Sequence, residues 1–176
     1  ITQTRDNCSR GGVGLFINDN ISYKILSDIS IFLPHVIETL FVEIESHSTA
    51  KNKIVGIIYR PNTQPRADLD IFTTSILNIL DTINNEGKHA ILLGDFNIDL
   101  LKCSTHIKTN DYLDNIFSRG FAPLICRPTR VTKTTATLID HVYTNNISHA
   151  TTSGIILTDV ADHFGTFHLS SEQHNN

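Results

Sequence analysis

The chain has 176 residues and a mass of 19.6 kDa, enough for one domain whose folding removes about 70 % of the unfolded surface from water. An apolar fraction of 40 %, a charged fraction of 18 % and a mean hydropathy of −0.06 exclude a disordered, fibrous or low-complexity protein. The formal net charge of −4 excludes a non-specific coat for nucleic acid, which needs a broad basic stripe, and no apolar run reaches the roughly 18 residues of a membrane-spanning helix.

In chain order the predicted elements are mostly short strands. Residues 12–17 and 21–26 are apolar runs joined by the turn sequence Asn18-Asp19-Asn20, and together they read as a hairpin. The Gly11-Gly12-Val13-Gly14 cluster is a strand entry or bulge and not a phosphate loop, because no strand precedes it and no helix follows. Strands at 40–45 and 53–59 come next, the second stopped by Pro61 and Pro65. The period then changes: Ile71, Phe72, Ile76, Ile79, Leu80 and Ile83 recur at helical spacing, and that helix ends near Gly87. Residues 89–95 read as an apolar strand buried on both faces. Tyr112, Leu113, Ile116 and Phe117 mark a second helix closed by Gly120, and strands at 138–144, 154–157 and 164–169 complete the chain. Without repeats or a linker, this pattern predicts one α/β or α+β sandwich with sheets inside and helices outside.

Residues 1–6 hold no apolar stretch and no Met, so no signal peptide is expected, and the sequence reads as one joined partway through. Cys8, Cys103 and Cys126 contain no C-x-x-C pair, which argues against a disulfide framework or a thiolate zinc site and for reduced thiols in an intracellular protein. Charge is uneven. Arg119, Arg127, Arg130 and Lys133 fall in a stretch without acids, whereas from residue 134 onward there are Asp140, Asp159, Asp162 and Glu172 and no Lys or Arg. This is either an ordinary solvated surface or a phosphate-facing loop beside an acidic pocket that needs a cation.

Four segments carry chemistry. Asp95 and Asn97 end the apolar strand, and a period of two sends both to one face while Phe96 packs on the other; the ordinary alternative is an Asx-turn. Asp140 shares a face with Leu138 and Val142, and an ionised carboxylate among apolar neighbours demands a partner. His141 points the opposite way and is expected at a rim. The Asp162-His163 dipeptide offers that partner: His163 paired with Asp140 would have its imidazole oriented and made more basic, leaving Asp162 free to meet a cation. Tyr59 and Asn62 project at a strand end around Pro61, either as rim residues or as part of the same site. The remaining histidines, among them His35, His47, His106, His149 and His174, read as solvated.

Seven motifs in order carry a resemblance from about residue 11 to 169: residues 11–17, 38–44, 58–62, 91–100, 128–130, 137–145 and 158–163. At these points the chain resembles the endonuclease/exonuclease/phosphatase superfamily, the fold of deoxyribonuclease I, and within it the endonuclease domain of non-LTR (LINE-type) retrotransposons. The resemblance implies an α/β fold, a four-layered α/β sandwich of two packed sheets flanked by helices, as a single domain over residues 1–176. It implies metal-dependent hydrolysis of phosphodiesters in DNA. His163 would be the general base, Asp140 would orient it, and Asp95 and Asn97 would position the nucleophile and the phosphate. Tyr59 and Asn62 would bond the phosphate, Arg60 and Arg130 would bind substrate, and Asp162 would be a metal ligand. Oxygen ligands imply Mg²⁺ or Mn²⁺. The implied partners are DNA and a reverse transcriptase in a larger polyprotein, with no membrane, in the nucleus or cytoplasm. The family's pattern begins with strands bearing an asparagine and the chief metal-binding glutamate. Residues 1–10 hold no glutamate and, by their pattern, no strand, so the chain reads as truncated at its N-terminus, and weak or absent activity is expected. Glu38 and Glu43 read as packing residues and poor substitutes. A phosphomonoesterase or phospholipid phosphodiesterase on the same fold, or a non-catalytic DNA-binding module, are the alternatives.

Overall fold

The computed structural model of the chain describes residues 1–3, 11–46, 51–62, 67–147 and 151–170. In chain order they form β1 (Thr2–Gln3), β2 (Val13–Gly14), β3 (Tyr23–Ile25), β4 (Phe32–Leu33), β5 (Ile37–Ile44), β6 (Lys53–Tyr59), α1 (Ala67–Asn85) and β7 (His89–Asp95). A 3-10 turn (Leu100–Lys102) and α2 (Ile107–Ser118) follow. The chain then continues through β8 (Ala122–Pro123), β9 (Arg130–Val131), β10 (Ala136–Thr137), β11 (Asp140–Thr144), β12 (Thr151–Ile156) and β13 (Gly165–Ser170).

The centre is a seven-stranded sheet in the order β3-β5-β6-β7-β11-β8, with β4 also paired to β5. Only β6 and β7 run parallel, and their crossover is α1, the connection a parallel pair requires. Phe72, Ile76, Leu80 and Ile83 of α1 and Tyr112 and Ile116 of α2 pack with Phe41, Ile54, Ile58 and Leu92 of the sheet into the principal core. The predicted helix stops hold: the Gly87 and Gly120 amides return to the carbonyls of Asn84 and Phe117. Over the other face lie two ribbons, β1-β2 and β12-β13, which among the described residues are not paired into the central sheet. The result is an α/β sandwich in which both described helices cover one face. No described helix is long and apolar enough to cross a membrane.

Several sequence expectations are corrected. The hairpin at residues 12–26 does not form: β2 pairs with β1, and β3 pairs with the far end of β5. Residues 1–10 do contribute a strand, because the extended Thr2 and Gln3 find a partner in Gly14 and Val13. Strand β7 is fully buried only at Ala90 and Leu92, on the helix side. Ile91 and Leu93 are half-buried, since the ribbons cover the opposite face only in part. Cys103 is partly buried and Cys126 exposed, both as free thiols, while Cys8, His47, His149 and His174 lie outside the described residues.

Candidate active site

Strand register builds the site. Glu38 of β5 is opposite Tyr59 of β6, Tyr59 is level with Asp95 of β7, and Asp95 is opposite Asp140 of β11. Residues level with one another share a face, so one row of polar side chains crosses four strands on the ribbon side. His163 reaches this row from the segment before β13, its Nδ1 lying 3.1 and 3.0 Å from the two Asp140 carboxylate oxygens. The carboxylate accepts from Nδ1–H, so the neutral ring keeps its lone pair on Nε2. The pair is sheltered but reachable, with the His163 and Asp140 side chains 32 and 16 % exposed.

Asp95 forms the predicted Asx-turn while its carboxylate also lies in the row opposite Asp140. Its carboxylate accepts from the Asn97 amide at 3.0 Å and from Asn97 Nδ2 at 3.1 Å. Asn97 adopts the left-handed region, φ 48°, which asparagine tolerates better than most residues. The turn is bolted to the end of β6: Asn97 Nδ2 donates to the Arg60 carbonyl at 2.8 Å, Arg60 Nη1 to the Asn97 carbonyl at 3.0 Å, and the Arg60 amide to the Asp95 carbonyl at 2.8 Å. Arg60 also lies over the Phe72 ring, 5.7 Å from its centroid, so its guanidinium braces the turn. Asn62 is exposed beside buried Pro61.

Burial and the facing Asp140 carboxylate push the Asp95 carboxyl up to about 6. Two aspartates and a histidine with donor atoms within 4.8 Å of one another are a donor set with more negative charge than it can hold when ionised. Hard oxygen donors in that state fit a small divalent cation. Asp162 is not free as expected. It accepts from Arg130 Nε at 2.8 Å, and that bond holds its carboxyl below the usual carboxylate range.

Other expectations shift. His141 does point away from Asp140, but into the core and not to a rim, at 1 % exposure. Its Nε2–H faces the Ile98 and Leu138 carbonyls at 2.9 and 3.1 Å, so Nδ1 accepts from the Tyr143 hydroxyl at 3.0 Å. Burial pushes this imidazole down to about 4. Arg119 does not join the basic loop, because it pairs with Asp81 of α1 at 2.8 Å. Glu38 is fully buried in the row and accepts from the Gly12 amide at 2.7 Å; it ties the glycine strand to the sheet.

Two supporting residues escaped sequence reasoning. Thr129, fully buried, accepts through Oγ1 from the Ile139 and Asp140 amides at 3.2 and 3.0 Å, while its carbonyl accepts from Phe164 N at 2.7 Å. One residue therefore holds both the strand of Asp140 and the segment of His163. Asp99 accepts from the Leu138 amide at 3.1 Å and ties the turn after Asn97 to the entry of β11. The signal available was a small polar residue inside each quoted motif, with no apolar period to explain it.

A model of the endonuclease/exonuclease/phosphatase family matches residues 2–164. No curated protein matches the sequence. Among solved structures the chain is similar to the endonuclease domain of TRAS1, a telomere-specific non-LTR retrotransposon, at 14 % identity and a TM-score of 0.61, over 84 % of this chain and 65 % of that one. It is similar to an endonuclease/exonuclease/phosphatase family protein from Leptotrichia buccalis at 19 % identity and a TM-score of 0.53, over 77 and 54 % of the two chains. A Staphylococcus aureus beta toxin variant with bound magnesium ions is similar at 12 % identity and a TM-score of 0.51, over 74 and 53 %. The chain thus spans 53 to 65 % of these three proteins. At these identities the likeness is one of fold, the α/β sandwich of deoxyribonuclease I. With that fold and a family pattern running from residue 2 to 164, the chain belongs to the endonuclease/exonuclease/phosphatase family.

Proposed function

We propose that this chain is a metal-dependent phosphodiesterase that nicks DNA, of the kind carried with a reverse transcriptase in the polyprotein of a non-LTR retrotransposon, acting in the nucleus or cytoplasm. The observation that supports this most is the His163–Asp140 pair, 3.0 Å apart and next to Asp95 in a family of phosphate-ester hydrolases. His163 Nε2 takes the proton of the attacking water, and Asp140 holds the ring in the required tautomer and stabilises the imidazolium that forms. Asp95, whose carboxyl sits near neutrality, and Asn97 orient the water and the scissile phosphate. Tyr59 and Asn62 donate to the phosphate oxygens as charge builds on them. Arg60 keeps the Asp95–Asn97 turn in place, and Arg130 meets the DNA backbone. Mg²⁺ or Mn²⁺, for which Asp162 and the Asp95–Asp140 pair are the candidate ligands, would supply charge neutralisation at the phosphoryl group.

Nicking of supercoiled plasmid by the purified chain tests the reading, with Mg²⁺, with Mn²⁺ and with EDTA, beside His163→Ala. Metal-dependent nicking lost in the variant is the expected result, at a low rate, because no glutamate joins the aspartates of the cluster among the described residues. A folded sample that nicks equally in EDTA, or equally with His163→Ala, would reject it.

A further inference from the structure

An ion pair at the edge of the site joins two residues that the proposed function uses separately. Arg130 Nε bonds Asp162 Oδ2 at 2.8 Å, with side chains 38 and 50 % exposed. Their backbones are fixed to each other: Val131 N donates to the Asp162 carbonyl at 3.2 Å, Phe164 N to the Thr129 carbonyl at 2.7 Å, and Arg130 and His163 form an antiparallel bridge. The two side chains therefore stay adjacent whether or not they are bonded. Arg130 also lies near enough to the site for its charge to lower the Asp95 carboxyl slightly. An exposed pair of this kind contributes little to stability, so exchanging its partners is cheap.

We infer that Arg130 and Asp162 are exchangeable partners: a divalent cation that engages Asp162 releases Arg130 to a DNA phosphate, and a phosphate that engages Arg130 releases Asp162 to the cation. The two ligands then bind with positive coupling, and by linkage each tightens the other by the same factor. This rests on the proposed roles of Asp162 and Arg130. Without ligands each residue neutralises the other, so the site offers neither a bare anion nor a bare cation. Arg130 belongs here as a positioning and specificity residue for phosphate, and its availability is set by the metal.

Two binding measurements on the whole chain test this without turnover. The first is anisotropy of a labelled DNA duplex at fixed ionic strength in EDTA. Asp162→Asn should tighten binding about fivefold, equivalent to about 1 kcal/mol at 1.4 kcal/mol per decade. On an Arg130→Gln background the same change should give no gain. Asp159→Asn, an exposed carboxylate on the same segment, controls for loss of a negative charge and should have little effect. The second is Mn²⁺ affinity by electron paramagnetic resonance, where Arg130→Gln should bind about fivefold more tightly than the wild type. An equal DNA gain from Asp162→Asn with and without Arg130 would overturn the exchange, as would equal Mn²⁺ affinity in the wild type and Arg130→Gln. No Mn²⁺ binding in any variant, with the DNA gain intact, would instead reject the metal reading of the site and the coupling with it.

Discussion

Replacing Asp95 by asparagine should make the metal-free chain more stable at neutral pH and not at acidic pH. The wild-type carboxyl is lifted from an ordinary value of 3.8 to about 6 by burial and by Asp140. Well below the ordinary value of 3.8 the carboxyl is protonated in both folded and unfolded chains, and its shift costs nothing. As pH rises towards about 6 the unfolded chain releases the proton while the folded one retains it, so stability falls; above that the full penalty applies. The sign is that of a raised pKa: stability is present at low pH and lost as pH rises. Full conversion at 1.36 kcal/mol per decade gives about 3 kcal/mol, which solvent access to the partly exposed group reduces to about 1–2 kcal/mol. The asparagine keeps an acceptor for the Asn97 amide but loses one for Asn97 Nδ2, a pH-independent cost of about 1 kcal/mol. Urea unfolding of both proteins in EDTA, at about pH 4.5 and about pH 7.5, isolates the difference, since their shared titrations cancel. About a third of the penalty is already present at the lower pH, so the gap between them should move by about 0.7–1.3 kcal/mol in favour of the variant at the higher pH. A gap independent of pH, or one moving the other way, would refute the account of two crowded carboxylates on which the metal site rests.

Other substitutions test the supports. Thr129→Val should cost roughly 2–4 kcal/mol by leaving two buried amides without an acceptor, while Thr129→Ser loses about 1 kcal/mol for a methyl group; urea midpoints separate them. His141→Phe should cost roughly 2–5 kcal/mol, because the Ile98 and Leu138 carbonyls and the Tyr143 hydroxyl lose their partner. The wild-type imidazole is lowered to about 4, so its stabilising share is present above about 6.5 and is lost as pH falls towards about 4; the phenylalanine variant should lack that slope in acid titrations. Gly94, at φ 140°, lies against the Ile58 carbonyl where a Cβ would overlap it. Gly94→Ala should cost roughly 2–6 kcal/mol from strain and overlap together, read as lost soluble yield or a lowered Tm.

Strands β6 and β7 match the sequence reading residue for residue, because each is a continuous apolar run bounded by a proline or a glycine. The helices were legible for a similar reason: a 3.6-residue period needs no knowledge of its partner. The predicted hairpin failed because both of its runs pair with distant segments, and a turn sequence at residues 18–20 says nothing about which edges are available. His141 shows the same limit more finely. Alternation along β11 gave its direction correctly, but the packing of the Phe96 and Tyr143 rings around it decides that this direction is the core. At the site, the proximity of Asp95, Asp140 and His163 was readable as motifs, and the partner of Asp162 was not, because that contact depends on β9 lying beside the His163 segment.

Among the described residues the β12-β13 ribbon pairs only with itself, and its anchors to the rest of the molecule include the Arg130–His163 bridge, the His163–Asp140 contact and packing by Ile155. Few contacts of that kind make a separate cooperative unit, able to open while the central sheet stays folded. The general base and the aspartate that orients it therefore belong to regions of unequal protection. Amide exchange across residues 165–170 should be faster than across β6, β7 and β11, and ligands at the site should slow it. The active arrangement is then a docked state of the ribbon, whose population falls before the protein unfolds.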